Sequence, residues 1–299
     1  MKTIFSPLGT MFQVLRQTFE HWNANQVPRL AAALAYYTAF SLAPLLVLVI
    51  AFVGLVFSEE LAREQVMEQV RGAFGQSGVA LVGSLIDSAS RPSEGVISTI
   101  LSLGVLLLGA LAAFGNLQSA LDTIFGVEGR MFNWRDTLRD KLLSFGMVLM
   151  IGFMLLVSMV INTILTAVTT FLLTGIIGAG ALLQMINMLV SVAIITVLFA
   201  LMFKFLPHTR LQWRDVWLGA AVTSILFSVG RFAIGWYLAT TTVTSAYGAA
   251  GSLALILLWI YYSAQIVLFG AAFTHVVATR AKERREQERA EKIGAGVTI

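Results

Sequence analysis

Six stretches of this chain, at about 31–57, 96–120, 142–173, 180–206, 214–239 and 251–279, are each apolar over a length sufficient to cross a bilayer. About 20 apolar residues in a helix span the hydrocarbon core. A backbone in lipid must satisfy its own hydrogen bonds, which leaves helices or closed barrels. A barrel would show segments of about ten residues alternating in polarity, whereas the stretches here are continuous. The predicted fold class is therefore all-α, a polytopic membrane protein with six transmembrane helices. Charged residues make up only 12% of the 299 residues, about half the usual share of about 25% in a soluble domain.

The basic residues orient the spans. Sixteen of the twenty Lys and Arg fall in four places: the N-terminal arm (Lys2, Arg16, Arg29), the connection after span two (Arg130, Arg135, Arg139, Lys141), the connection after span four (Lys204, Arg210, Arg214) and the tail (Arg280, Lys282, Arg284, Arg285, Arg289, Lys292). The alternate connections hold only Arg63, Arg71 and Arg91, and the twentieth is Arg231. Connections rich in Lys and Arg stay in the cytoplasm, so both termini are predicted to be cytoplasmic, which requires an even number of spans. The net charge of +4 then reflects topology rather than nucleic-acid binding. No cleavable signal peptide is expected, because the first apolar run starts only near Leu30 and follows a polar segment rather than a short basic one.

A single transmembrane domain is expected over 1–279, followed by a charged cytoplasmic tail over 280–299. The one large outer connection, 58–95, contains EELAREQVMEQVRGAF, with Leu61, Val66, Val70 and Phe74 at helical spacing, and then VALVGSLIDSA. These read as two short amphipathic helices forming a periplasmic insertion between spans 1 and 2. Residues 8–27 carry Leu8, Met11, Phe12, Leu15, Phe19 and Trp22 at intervals of three and four, the pattern of an amphipathic helix lying in the inner interface.

The costliest residue in the spans is Arg231, within FSVGRFAIGWYLA. About 13 Å of helix separates it from Thr240 at the outer end. Helical side chains lean toward the N-terminus, here inward, so snorkelling outward is difficult. Charges at such depth face protein or a wet cavity. Ala220, Ser224, Ser228, Arg231 and Gly235 recur along one narrow stripe, which is expected to point into the bundle. Polar residues recur in other spans: Ser158, Asn162, Thr166 and Thr169 in the third, Gln184, Asn187 and Ser191 in the fourth, Tyr262 and Gln265 in the sixth. The second span ends in GNLQSALD, with Asn116, Gln118 and Asp122. Such residues commonly bond packed helices to one another; their convergence from several helices predicts a shared polar cavity. No Asp or Glu lies in 96–121, 142–214 or 216–282, so Arg231 has no carboxylate at its own depth. Either main-chain groups and amides cap it or an anion visits it. The expected substrate contacts are Arg231, Asn162, Asn187, Gln265 and Ser228, with Asp122, Gln118 and Asn116 as an inner gate.

Little else in the chain suggests chemistry. There are no cysteines, and His21, His208 and His275 are not at metal-ligand spacing. No HExxH, GxSxG, P-loop or dinucleotide fingerprint is present. No catalytic residue, metal or cofactor is expected. Asp122 with His208 is the one acid–base pair that a lipid-modifying enzyme could use.

Three segments, PRLAAALAYYTAFSLAPLLVLVIAFVGLVF (28–57), FGNLQSALDTIFGV (114–127) and AYGAAGSLALILLWIYYSAQIVLFGAAFTHVVA (246–278), resemble in order the signatures of the YihY/BrkB family of bacterial inner-membrane proteins. The resemblance implies six spans, a multi-pass inner-membrane location, and a link to serum resistance, virulence and envelope lipid or lipopolysaccharide traffic. It also brings an older label, ribonuclease BN, against which the residues speak, since no His/Asp cluster exists to hold catalytic metals. Where the family's last helix reads Gly-Ala-Glu, this chain has Gly270-Ala271-Ala272, which argues against proton coupling through that position. The expected function is an inner-membrane transporter or flippase-like protein handling an anionic amphiphile in a central polar cavity. Its expected partners are membrane lipids, with room for an oligomer and no nucleic acid. A scaffolding protein of the envelope is the alternative, and a lipid-modifying enzyme the third reading.

Overall fold

The computed structural model describes residues 7–56, 58–89, 96–127, 134–172, 179–209, 211–240 and 243–296; within these segments some side chains, those of Asn162 and Asn187 among them, lie outside the described residues. Among the described residues eight helices follow one another: α1 (Pro7–Ala24), α2 (Val27–Gly54), α3 (Glu59–Ala89), α4 (Val96–Ile124), α5 (Trp134–Leu172), α6 (Ala179–Phe205), α7 (Trp213–Thr240) and α8 (Val243–Gly296). There is no strand among the described residues. Five helices contain segments long and apolar enough to cross a membrane: Val27–Gly54, Lys141–Ser158, Met188–Phe205, Trp213–Ile234 and Leu253–Glu288. α4 stands where the second span is predicted and packs along α2.

Local chemistry sets the helix ends. Gln26 takes the left-handed conformation (φ 50°, ψ 45°) at the start of α2, with a proline in the first turn. That reverses the chain after α1 and seeds the next helix. Gly126 is also left-handed (φ 69°), and the Val127 amide donates back to the Asp122 carbonyl at 2.9 Å, a glycine-terminated stop that satisfies a free carbonyl of α4. α6 ends two residues before Pro207, which cannot continue a helix.

The core is built from α2, α4 and α8. Ala31, Leu34, Val49 and Ile50 of α2, Leu121 and Ile124 of α4, and Leu268, Ala271 and Ala272 of α8 belong to one buried cluster. Ala272 has no exposed surface, so the position where the family resemblance expects glutamate is sealed inside the protein. Burying an unpaired carboxylate there would be costly.

α7 and α8 meet through a reciprocal contact. Thr223 of α7 packs against Gly270 of α8, and Thr274 of α8 packs against Gly219 of α7, so closely that a methyl group on either glycine would overlap the opposing threonine. Each threonine donates its hydroxyl to a carbonyl four residues earlier on its own helix, Thr223 to Gly219 and Thr274 to Gly270, both at 2.7 Å. The hydroxyls are thus satisfied within their helices, and it is the hydroxyl side of each threonine that fills the opposing glycine notch. Small residues allow this close approach of helices.

The insertion after α2 is helical from Glu59 to Ala89, yet it is not straight. Arg63 Nη2 lies 2.5 Å from Asp87 Oδ1, and Met67 reaches to within 4.0 Å of the space beside Gly83. In a straight helix residues 63 and 87 would be about 36 Å apart. α3 therefore doubles back between Met67 and Gly83. Its two arms match the two segments read from the sequence, and Ala62, Val66 and Val70 of one share the core with Val82 and Ile86 of the other. Helical residues run without a described loop from Glu59 to Ala89.

α1 lies against α8 by one face only. Val14 is buried with Phe273 and Val276, Arg280 Nε donates to Gln17 at 2.7 Å, and the His21 and His275 rings stack at 4.5 Å. Met11, Phe12, Leu15 and Phe19 on the other side are exposed.

Candidate functional site: Arg231 and the basic end of the bundle

Thr196 and Ser224 share a hydrogen bond at 2.6 Å between α6 and α7. Phe199 stands edge-on to Phe227 at 5.6 Å, and Phe227 is edge-on to Trp259 of α8 at 6.2 Å. Lower down, Phe205 and Lys204 pack on Trp213. All of these α6–α7 contacts lie on one side of Arg231, toward the start of α7. Beyond them Met185, Ile186, Met188 and Leu189 of α6 are exposed, as are Val229 and Phe232 of α7.

The stripe on α7 is therefore buried at one end and open at the other. Ala220 and Ser224 are fully buried, Ser228 is half-buried, and Arg231 is exposed. The expectation that the stripe buries its arginine holds only for its first half. Among the described residues, the side-chain contacts between α6 and α7 lie on the Ser224 and Phe227 side of Arg231. Behind Arg231 the α7–α8 pair closes tightly, with Phe227, Trp259, Tyr262, Ser263 and Ile266 beside it in a crevice with no room for a water molecule. The guanidinium carbon lies 5.9 Å from the ring of Phe232, and no carboxylate pairs with it among the described residues.

The other expected substrate contacts separate. Ser228 donates to the Ser224 carbonyl at 2.8 Å. Gln265 donates to the Tyr261 hydroxyl at 2.8 Å, and its Oε1 is buried with no hydrogen-bond partner. Neither bonds to Arg231; Tyr262, Ser263 and Ile266 take the side of α8 that faces it. Asn162 and Asn187 lie on α5 and α6, with side chains outside the described residues.

Two of the three expected gate residues, Gln118 and Asp122, meet the α6–α7 turn. Gln118 is buried and donates to the Leu206 carbonyl at 2.8 Å, a carbonyl left free where α6 ends. Asp122 accepts from the His208 amide and from its ring Nδ1, both at 2.7 Å. Asn116 turns back to the Ala112 carbonyl of its own helix. Two residues one turn apart on α4 thus hold the end of α6. With both oxygens of Asp122 engaged on one turn, the Asp122–His208 pair clamps α4 to the end of α6.

A feature without any sequence signal sits beside this clamp. His21 of α1 donates through Nε2 to the Ile124 carbonyl at 2.7 Å and stacks nearly parallel (4°) on His275 of α8. The imidazoles are 254 positions apart in the chain, so no local pattern could pair them. His275 lines two cavities at this end, of about 420 and 470 Å³. No group of three metal-ligating side chains occurs among the described residues.

Long apolar helices, a core of small and branched side chains, and charge gathered at one end of the bundle together define a multi-pass α-helical membrane protein. The chain matches the family described as virulence factor BrkB over residues 18–294 and belongs to it. It is similar to a UPF0761 membrane protein of Mannheimia succiniciproducens, 28% identical over 92% of each chain. It is also similar to a UPF0761 membrane protein of Azotobacter vinelandii, 28% identical over 90% of this chain but 64% of that one. A UPF0761 membrane protein of Rhodospirillum centenum is 30% identical over 85% of this chain and 54% of its own length. No solved structure matches.

Proposed function

We propose that this is a six-span protein of the bacterial inner membrane, with both termini in the cytoplasm, that binds an anionic amphiphile at Arg231 and passes it between leaflets. The observation that carries the reading is an exposed arginine, about 27 Å along α7 from Trp213, with no carboxylate partner among the described residues. A charge at membrane depth is retained at considerable cost, and function is its default explanation. An anionic headgroup would supply the missing counter-charge. The exposure of Arg231, together with that of Val229 and Phe232 on α7 and Met188 and Leu189 on α6, supports access of such a headgroup to the guanidinium from the side of the bundle rather than within an enclosed central chamber.

Six spans follow if α4, 29 residues and about 43 Å long, is counted with the five apolar segments. The helix ends gathered at the basic end fit this count: α1, α4 and α6 finish there, α7 begins there, and α8 passes through it. α1 then lies in the inner headgroup layer, its exposed Met11, Phe12, Leu15 and Phe19 in the lipid.

The test is transbilayer movement in proteoliposomes. A dithionite-quenchable anionic phospholipid is expected to become accessible in vesicles holding the wild-type chain. Arg231→Ala is expected to fold and to remove that activity, while Arg231→Lys retains part of it. Equal rates for wild type and Arg231→Ala would refute the proposal. A pure scaffold would instead show unfolding of Arg231→Ala and no lipid movement by the wild type.

A further inference from the structure

We propose that His21 and His275 form a pH-operated latch between α1 and α8, and that acidification at this end of the bundle releases α1 from α8. The proposal does not depend on Arg231.

α1 is seated on α8 by the packing of Val14 with Phe273 and Val276, by the Arg280–Gln17 hydrogen bond at 2.7 Å and by the imidazole stack at 4.5 Å. Residues of both helices also line a cavity of about 470 Å³, so the two helices are not packed solidly along their length. α1 is joined to α2 through Asn25 and the left-handed Gln26, a short joint about which it can swing. His21 lies on the last turn of α1, close to that joint. Its Nε2 donates to the Ile124 carbonyl at 2.7 Å, so this one side chain ties α1 to both α4 and α8.

The stack is nearly parallel, at 4°, and both rings are half-buried. Neutral aromatic rings attract one another in offset stacks. Two imidazolium rings in the same place would set like charges about 4.5 Å apart, where partial burial weakens screening. The docked form therefore accepts the second proton only against repulsion, while the released form does not meet that repulsion. Release takes up protons, so falling pH favours it. Ordinary imidazoles titrate near pH ~6.5, which places the change between about pH 5 and pH 7.

The surrounding charges do not cancel this effect. Glu20, Arg280 and Glu283 line one of the two cavities that His275 borders; Asp215, Lys282, Arg285 and Glu286 line the other. Arg16 holds Glu20 at 2.8 Å, which brings the bases to four against four acids. Carboxylic acids titrate near pH ~4, below the window. His208, the third imidazole at this end, is engaged by Asp122 and serves as an internal control.

The experiment places spin labels on the full chain through Gln13→Cys and Arg284→Cys, both exposed positions of a chain without other cysteines. The distance between them is measured by pulsed electron resonance. At about pH 8 a single narrow distance is expected; at about pH 5.5 the docked fraction is expected to fall about two-fold or more, with helical circular dichroism unchanged. His275→Phe keeps an aromatic ring against His21 but takes no proton, and is expected to hold α1 docked at both pH values. Should His275→Phe fail to fold, His21→Phe is expected to abolish the pH response in the same way. A wild-type distance that does not change with pH, helicity lost together with the distance, or the wild-type response retained in both variants, which would assign it to His208, would overturn the proposal.

Discussion

At the scale of single residues, several polar side chains of the helices find their partners in main-chain groups. Gln118, Asp122, Ser228, Thr223 and Thr274 all bond to main-chain groups, which makes them structural. Asp122 does most, holding both the amide and the ring of His208. Asp122→Ala is expected to leave both donors unpaired and to cost about 1–3 kcal/mol, read as a lower unfolding midpoint in detergent. Asp122→Asn keeps one acceptor and should lose less. Equal stability of Asp122→Ala and wild type would mean that the clamp contributes nothing. Arg231 is of another kind, a charged group with no counter-charge among the described residues, and the proposed function rests on it.

At the scale of elements, the α7–α8 pair and the α3 hairpin carry the sharpest expectations. Gly270→Ala would push a methyl group into Thr223; overpacking of this kind costs about 1–3 kcal/mol, and Thr223→Ala in the same chain should recover part of it. Additive losses in thermal unfolding of the double variant would argue against direct contact. For α3, Arg63→Cys with Asp87→Cys in a chain that has no other cysteine should be bridged by a short bis-maleimide within one molecule. Failure to bridge would support a straight helix. The two arms of α3 were legible because Leu61, Val66 and Val70 repeat at helical spacing among charges. The ion pair joining them was not, because a contact 24 residues apart leaves no periodic trace. The apolar spans were legible for the same reason as the arms: length and composition alone fix them.

At the scale of the whole molecule, what the sequence could not convey is where neighbouring helices part. The stripe from Ala220 to Arg231 was legible on α7, and its burial as far as Ser224 agrees with it. Its exposure at Arg231 depends on which surfaces the neighbouring helices cover, which no pattern within α7 encodes. The His21–His275 stack was hidden likewise, since it needs α1 folded back on the far part of α8. The arginine itself is exposed, and that accessibility is the claim on which transport depends. It is tested most directly by placing a cysteine at position 231 and at Ser224 in turn, each the only cysteine in the chain, and treating proteoliposomes with a charged, membrane-impermeant thiosulfonate. Arg231→Cys is expected to be modified, and to be protected by added anionic lipid, while Ser224→Cys stays unreactive. Silence at position 231, or equal reaction at both positions, would contradict an accessible cationic site.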